Sequence, residues 1–469
     1  MAVEFVLNGR ERAVETAPPT LTLLEFLRGE GLCGTKEGCA EGDCGACTVA
    51  LRKPVGDRVA TRAVNACIMP LAMAHGKEVV TVEALCGDHP IQTAMVAHHA
   101  AQCGFCTPGF VMSLWAREAG APTDRQALED RLAGNLCRCT GYGPILEAAA
   151  ASAKAADEMP AEGATLAQLK AIGPLDHRTG AKRVIAPRTE AGFACAVADH
   201  PEARIIAGAT DVGLWMTKSL YECDTAIFIG DVDELATISR DGEALTVGAG
   251  ATHEAFAAAV RPLSPALGEL LRRFGGLQVR SAGTVGGNIA NGSPIGDLPP
   301  ALIAAGATVT LAQRDGRRTL PLEDFFIAYG RQDRRPGEYL RHVTVPLAGL
   351  AALSCHKVSK RFDSDITAVL AALSLNLEGG LIAAARVAFG GMAATPKRAP
   401  TVEAAVIGKP LTEAAAAAGA ALPNDFAPID DMRASGAYRM QVAKNLFVRD
   451  MAERAGAGGT RLAGAAWAA

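Results

Sequence analysis

"EGCAEGDCGACTV", residues 37–49, sets three cysteines and three glycines into one short stretch. Cys39, Cys44 and Cys47 stand at C-x4-C-x2-C, and Cys67 follows them. Two irons bridged by two sulfides need four thiolates around one compact anionic core. A loop wrapping such a core must turn tightly and aim N–H groups at the sulfurs. Gly38, Gly42 and Gly45 give the backbone that freedom. Cys67 then arrives from a separate segment and closes the cage.

A structural zinc is the competing reading. Zinc sites generally show two short cysteine pairs. One four-residue gap, one two-residue gap and a distant fourth cysteine fit that poorly and match the plant-type [2Fe–2S] spacing. A second group, "QCGFCTPGF" and "NLCRCTGYGP", supplies Cys103, Cys106, Cys137 and Cys139. Cys137 and Cys139 face one side in extended backbone, with Arg138 pointing away. Alone, C-x2-C with C-x-C is ambiguous between zinc, a redox disulfide and a cluster. Beside the first group it reads as a second cluster, and two clusters in adjacent modules make a wire. Cys33, Cys86, Cys195, Cys223 and Cys355 have no neighbours at ligand spacing and read as buried structural thiols.

The 469 residues carry a net charge of −4, so no electrostatic footprint for nucleic acid is visible. "MAVEFVLNGR" interrupts any signal-peptide core with Glu4 and Asn8, and no apolar run approaches the ~18 residues of a membrane span. The expectation is a soluble cytoplasmic protein of about three to four domains. Ten of the 13 cysteines fall before residue 140, a clustering typical of metal or redox chemistry in an intracellular protein.

Residues 1–85 alternate β-type runs ("AVEFVLNG", "TVALRK", "EVVTVEAL") with one helical pattern, "TLLEFLRGEG". Residues 86–155 turn helical, and four short helices suggest a compact bundle with its cysteines in the loops. Thr107-Pro108 and Gly143-Pro144 read as helix starts. Residues 156–180, rich in Ala, Gly and polar residues, read as a linker. Residues 181–348 bring strands with glycine turns. Residues 349–460 hold the strand candidates "AVLAALSLNLEGG" and "LIAAARVAFGG" and Ala-rich helices, and 461–469 form a tail.

"RIIAGATDVG" (204–213) and "GTVGGNIANGSPIGD" (283–297) are glycine-rich loops whose N–H groups can close around phosphate oxygens. Neither is G-x-G-x-x-G, and ordinary turns explain them equally well. "VGAGATH" (247–253) reads as a turn. Phe274 reads either as core or as a ring stacked on a cofactor.

Taken with "FGGMAATPKRA", these stretches resemble the iron–sulfur and flavin part of the xanthine dehydrogenase family of molybdenum hydroxylases, over about residues 3–450. The order of two cluster domains and a flavin domain resembles the small subunit of the family's two-chain bacterial members. The resemblance implies an α+β multidomain fold: a plant-type ferredoxin β-grasp, a four-helix [2Fe–2S] bundle, an α+β FAD-binding domain of the PCMH (vanillyl-alcohol-oxidase-like) type, and a C-terminal α+β flavoprotein domain. It implies that Cys39, Cys44, Cys47 and Cys67 hold the cluster nearer the flavin. Cys103, Cys106, Cys137 and Cys139 hold the one nearer molybdenum, with Gln102 close to the partner's pterin.

The resemblance further implies FAD contacts at Ile205, Ile206, Ala207, Gly208, Ala209, Thr210 and Asp211, then at Phe274, Thr284, Gly287, Asn288, Ser293, Asp297 and Lys357. NAD is the implied electron acceptor. The implied partner is a large molybdopterin-binding subunit carrying the substrate pocket, in a heterotetramer of two small and two large chains. Ser364, in "RFDSD", departs from the acidic residue some animal members carry at the flavin's border, so the choice between NAD and oxygen does not carry over.

Overall fold

The computed structural model describes residues 1–157 and 164–457. The first 80 residues build a five-stranded mixed sheet in the order Arg10–Val14, Val3–Leu7, Glu78–Val80, Thr48–Val55, Arg58–Asn65. Val3–Leu7 and Glu78–Val80 run parallel, and their neighbours are antiparallel. Helix Leu23–Gly29 starts at Thr22, whose hydroxyl and amide exchange bonds with the Glu25 amide and carboxylate. That capping box fixes the helix register and aims Leu23, Leu24 and Leu27 into the core with Phe5. The β-grasp form is as expected.

Four helices follow: Pro90–Ala97, Thr107–Trp115, Arg125–Leu132 and Gly143–Asp157. The second starts at Thr107-Pro108 as read, but with Cys106 rather than Thr107 as its N-cap, so Thr107 and Pro108 both occupy its first turn, and the buried Thr107 hydroxyl has no hydrogen-bond partner among the described residues.

The expected linker is partly folded. Residues 158–163 lie outside the described residues, but Thr165 and Gln168 form a capping box that opens helix Leu166–Ala171. Strand Leu175–Thr179 then pairs antiparallel with Lys182–Ala186. The reason is burial: Leu169 and Leu175 are sequestered, and His177 accepts from the Ala17 amide at 3.3 Å. The next sheet therefore begins before residue 181.

That sheet runs Leu175–Thr179, Lys182–Ala186, Thr225–Phe228, Arg204–Ile206, its last three strands parallel. A five-stranded antiparallel sheet follows in the order Ile238–Asp241, Ala244–Gly248, Tyr339–Pro346, Thr308–Gln313, Gly316–Pro321. The C-terminal part is a four-stranded antiparallel sheet, with strands Val369–Glu378 and Leu381–Gly390 joined through Gly379 and Gly380. Helices Leu411–Asp425 and Gly436–Arg454 contribute to its core.

The modules share cores. Val3, Phe5 and Val49 of the first sheet pack in one cluster with Val184, Ile206 and Phe228 of the second. Ala50 and Ala63 of the first sheet pack with the four helices and with Leu277. No helix among the described residues is long and apolar enough to cross a membrane.

Candidate functional site

The loop of residues 37–47 leaves helix Leu23–Gly29 and feeds strand Thr48–Val55. Gly42 and Gly45 take positive φ, +78° and +67°. A Cβ on Gly45 would stand 2.2 Å from the Gly134 carbonyl oxygen, so glycine is needed there twice over. The turn points the amides of Glu41 and Cys44 at Cys39 Sγ, each at 3.4 Å. Thiols of Cys44 and Cys67 bond to Cys39 and hold its thiol far below the usual range, while the same bonds raise those two donors. The bond from Cys67 likewise lowers Cys47. Cys47 and Cys67 are buried, with Thr217 and Lys218 closing over the loop. Thr217 Oγ1 donates to the Ala40 carbonyl at 2.9 Å, and Lys218 Nζ to that of Cys39 at 2.6 Å.

The second cysteine group also converges. Cys139 Sγ lies 3.7 Å from Cys103 Sγ, and the Cys106 thiol bonds to Cys137. Burial, and then that bond, push the Cys106 thiol up to about 12. Thr140 directs its amide to Cys137 Sγ at 3.4 Å, and the Cys137 amide donates to the Tyr142 hydroxyl. Among the described residues, no three or more His, Cys, Asp or Glu side chains are arranged to hold a single ion. The 3.7 Å pair matches two sulfurs across one tetrahedral metal with bonds of ~2.3 Å. Cys103 and Cys139 are exposed, beside Gln102 and the exposed Phe105 and Leu136.

The two cysteine loops meet. Leu136 N donates to the Cys44 carbonyl at 3.0 Å. Asn135 Nδ2 donates to the Gly45 carbonyl at 3.2 Å, and the Ser113 hydroxyl donates to Asn135 Oδ1 at 2.7 Å. Into this junction reaches Gln278, 1% exposed, from the glycine-rich half of the chain. Its Nε2 lies 2.9 Å from Thr48 Oγ1, 3.1 Å from Ser113 Oγ and 3.1 Å from Asn135 Oδ1. Sequence reading missed this residue, because no local pattern marks a contact 230 residues away.

The two glycine loops also converge. A Cβ on Gly208 would stand 1.9 Å from the Ala282 carbonyl oxygen, and one on Gly287 would touch the Ala207 methyl at 3.7 Å. Thr284 caps helix Val285–Asn291 through the Gly287 amide. Ala207, Gly208, Thr210 and Thr284 line one cavity, together with Gly250, Ala251 and Thr252 of the stretch read as a plain turn. Ile205, Ile206, Ala209 and Asp211 support that loop: Ile205 and Ile206 belong to strand Arg204–Ile206, Ala209 takes φ +58°, and burial raises the Asp211 carboxyl. Asn288 Oδ1 is buried without a hydrogen-bond partner among the described residues, which is a fit for a ligand donor. Ser293 accepts from the Ile295 amide.

Asp297 and Lys357 form a buried ion pair at 2.6 Å, with Thr367 bonded to the same carboxylate. Lys357 lines a second cavity with Glu269, Arg273, Arg361 and Phe362, and the guanidiniums of Arg272 and Arg273 both lie over the Phe362 ring, 5.4 and 4.7 Å from its centre. The Phe274 ring packs on His253 at 4.6 Å. His253 is pulled down to about 3 by burial, and its Nδ1 has no hydrogen-bond partner among the described residues. Of the five cysteines outside the two groups, Cys223 and Cys355 are buried as expected. Cys33 and Cys86 are exposed instead, because each lies in a surface turn beyond a helix end.

Four family models match in tandem: a 2Fe-2S iron-sulfur cluster binding domain over 5–72, a [2Fe-2S] binding domain over 81–150, the FAD binding domain in molybdopterin dehydrogenase over 179–348, and the CO dehydrogenase flavoprotein C-terminal domain over 354–453. The chain belongs to the molybdenum hydroxylase family, as its iron–sulfur and FAD part. Similar proteins include xanthine dehydrogenase of Emericella nidulans, 31% identical over 90% of this chain, and xanthine dehydrogenase/oxidase of Mus musculus, 32% identical over 83%. The chain spans 36% and 34% of their lengths. Quinoline 2-oxidoreductase from Pseudomonas putida 86 superposes with a TM-score of 0.53 at 28% identity, over 57% of this chain and 94% of that one. Carbon monoxide dehydrogenase from Hydrogenophaga pseudoflava gives 0.53 at 27%, with the same coverage.

Proposed function

We propose that the chain is the electron-relay subunit of a xanthine dehydrogenase, working with a large molybdopterin-binding partner that oxidises hypoxanthine and xanthine to urate. Cys39, Cys44, Cys47 and Cys67 hold one [2Fe–2S] cluster, and Cys103, Cys106, Cys137 and Cys139 the other. Ile205–Asp211, Thr284, Gly287, Asn288, Ser293, Asp297 and Lys357 hold FAD, with Phe274 against it. When bound, these groups supply one-electron steps between a two-electron oxidation on the partner and hydride delivery to NAD. The protein positions them: amides aimed at Cys39 and Cys137 stabilise thiolate charge, and the Leu136–Cys44 bond sets the distance between the loops.

The observation that supports the reading is the approach of the cysteines to one another, Cys39 to Cys44 and Cys67, Cys47 to Cys67, Cys103 to Cys139 and Cys106 to Cys137, with the two sets one hydrogen bond apart at Leu136 and Cys44. Cys44→Ser is expected to remove one of two distinguishable [2Fe–2S] EPR signals and to block NAD reduction. Both signals surviving at full intensity would refute the ligand assignment. The same relay in an aldehyde, nicotinate or other heterocycle dehydrogenase is the second reading, favoured by the quinoline 2-oxidoreductase likeness. Assaying hypoxanthine with the co-purifying large chain separates the two. A zinc-stapled binding module predicts a colourless protein with zinc and no iron.

A further inference from the structure

Phe105 stands between two cysteines of the second set, Cys103 and Cys106, in "QCGFCTPGF". It is 47% exposed and belongs to none of the buried core clusters among the described residues, whereas Phe110 of the same stretch is fully buried in the helical core. The Phe105 ring reaches the other cysteine loop instead. A Cβ on Gly38 would stand 3.6 Å from Phe105 Cε1 and 2.7 Å from Cys44 Sγ. Gly38 lacks the positive φ of Gly42 and Gly45, so turning does not explain a glycine there. Room does. The missing side chain leaves space for both the ring and the Cys44 sulfur.

The placement of the ring follows from how the two loops dock. Cys106 is the N-cap of helix Thr107–Trp115, and a Cβ on Gly109 in that helix would stand 2.3 Å from the Gly45 carbonyl oxygen. The helix is thus seated backbone to backbone on the first cysteine loop. Gly104, at φ +82°, turns the chain after Cys103, and Phe105, one residue before the cap, falls over Gly38.

Solvent access and the apolar shell around a metal centre help to set its reduction potential. A phenyl ring laid between two cysteine sets excludes water from the gap and fixes how closely the loops approach. We propose that Phe105 is a positioning residue of the relay: it keeps water off the Cys44 side of the first centre and holds the two cysteine loops at their spacing. This rests on the ligand assignment given above.

The test uses the full-length chain carrying both centres, reduced stepwise with dithionite and followed by EPR. It compares wild type with Phe105→Ala, Phe105→Gln and Phe105→Leu, and iron content is measured on each sample. The centre of interest is the one whose signal Cys44→Ser removes. Water stabilises the more negatively charged reduced form, so Phe105→Ala and Phe105→Gln are expected to shift that centre's midpoint potential upward. In D2O, its coupling to exchangeable deuterons is expected to grow, and the spin coupling between the two reduced centres to weaken in Phe105→Ala. The other centre is expected to move less, because Cys103 and Cys139 are already exposed. Phe105→Leu keeps an apolar cover and is expected to behave as wild type.

An unmoved potential and deuteron coupling in Phe105→Ala and Phe105→Gln overturn the proposal. So does a shift in Phe105→Leu as large as in Phe105→Ala, or an equal loss of iron in all three variants, which marks a merely structural role. If Phe105→Ala alone fails to hold iron, Phe105→Gln decides by the same readings. Wild type without two centres defeats the ligand assignment and this inference together. Two wild-type centres indifferent to every substitution at Phe105 defeat this inference alone.

Discussion

Leu136 and Cys44 are joined amide to carbonyl at 3.0 Å, which makes the two cysteine loops neighbours within one buried polar knot. Gln278 ties that knot from a third module, with Thr48, Ser113 and Asn135 as its acceptors. Gln278→Leu removes their shared donor and leaves the Ser113–Asn135 and Thr48–Gly45 bonds to hold the knot. The expected loss is about 1–3 kcal/mol of stability, read by urea unfolding. A changed spin coupling between the two reduced centres is expected with it.

Gly208 lies where the two glycine loops touch. In Gly208→Ala, the added methyl meets the Ala282 carbonyl oxygen, which is backbone and cannot swing aside. The loops must part, so purified variant is expected to retain its iron while losing most of its flavin. Iron and flavin assays on the same sample check this.

The Lys357–Asp297 pair is buried, at 2.6 Å. Lys357→Met leaves the Asp297 carboxylate with the Thr367 hydroxyl alone. Removing one partner of a buried pair costs about 3–5 kcal/mol. The variant is expected to shed flavin on gel filtration and to unfold at lower temperature. Adding Asp297→Asn to Lys357→Met is expected to recover part of the stability, since no charge is then left unmatched.

His75 predicts an acid dependence. Its Nδ1 accepts from the Glu4 amide at 3.0 Å, and Nε2 meets the Gly173 carbonyl at 3.0 Å. Burial pulls it down to about 4, against ~6.5 in the unfolded chain. Between these values the unfolded chain binds the extra proton, so stability falls as pH drops from about 6.5 through 4. His75→Gln is expected to flatten that part of the curve in urea titrations run from pH 8 to 4.5.

Cysteine spacing made the two thiol groups legible, because metal ligation needs few residues at fixed intervals. Alternation and capping made the first sheet and the four helices legible as well. The linker was misread although "TLAQ" carried a capping-box signal at Thr165 and Gln168, since its polar and alanine content masked two leucines that bury. Exposure of Cys33 and Cys86 depends on where surface turns fall, which spacing does not encode. Gln278 was illegible for another reason. It acts on segments far along the chain, and an isolated glutamine on a helix reads as ordinary surface.

Thr217 and Lys218 latch over Ala40 and Cys39 from positions 177 and 179 residues later in synthesis. The inner sulfurs, Cys47 and Cys67, are sealed beneath that neighbourhood, whereas Cys103 and Cys139 stay at the surface. Maturation thereby acquires a clock. On the ligand assignment proposed above, iron for the inner set is expected to enter before that latch closes, and iron for the outer set afterwards. A chain grown in iron starvation and resupplied after folding should repair its outer centre first, leaving the inner one dark.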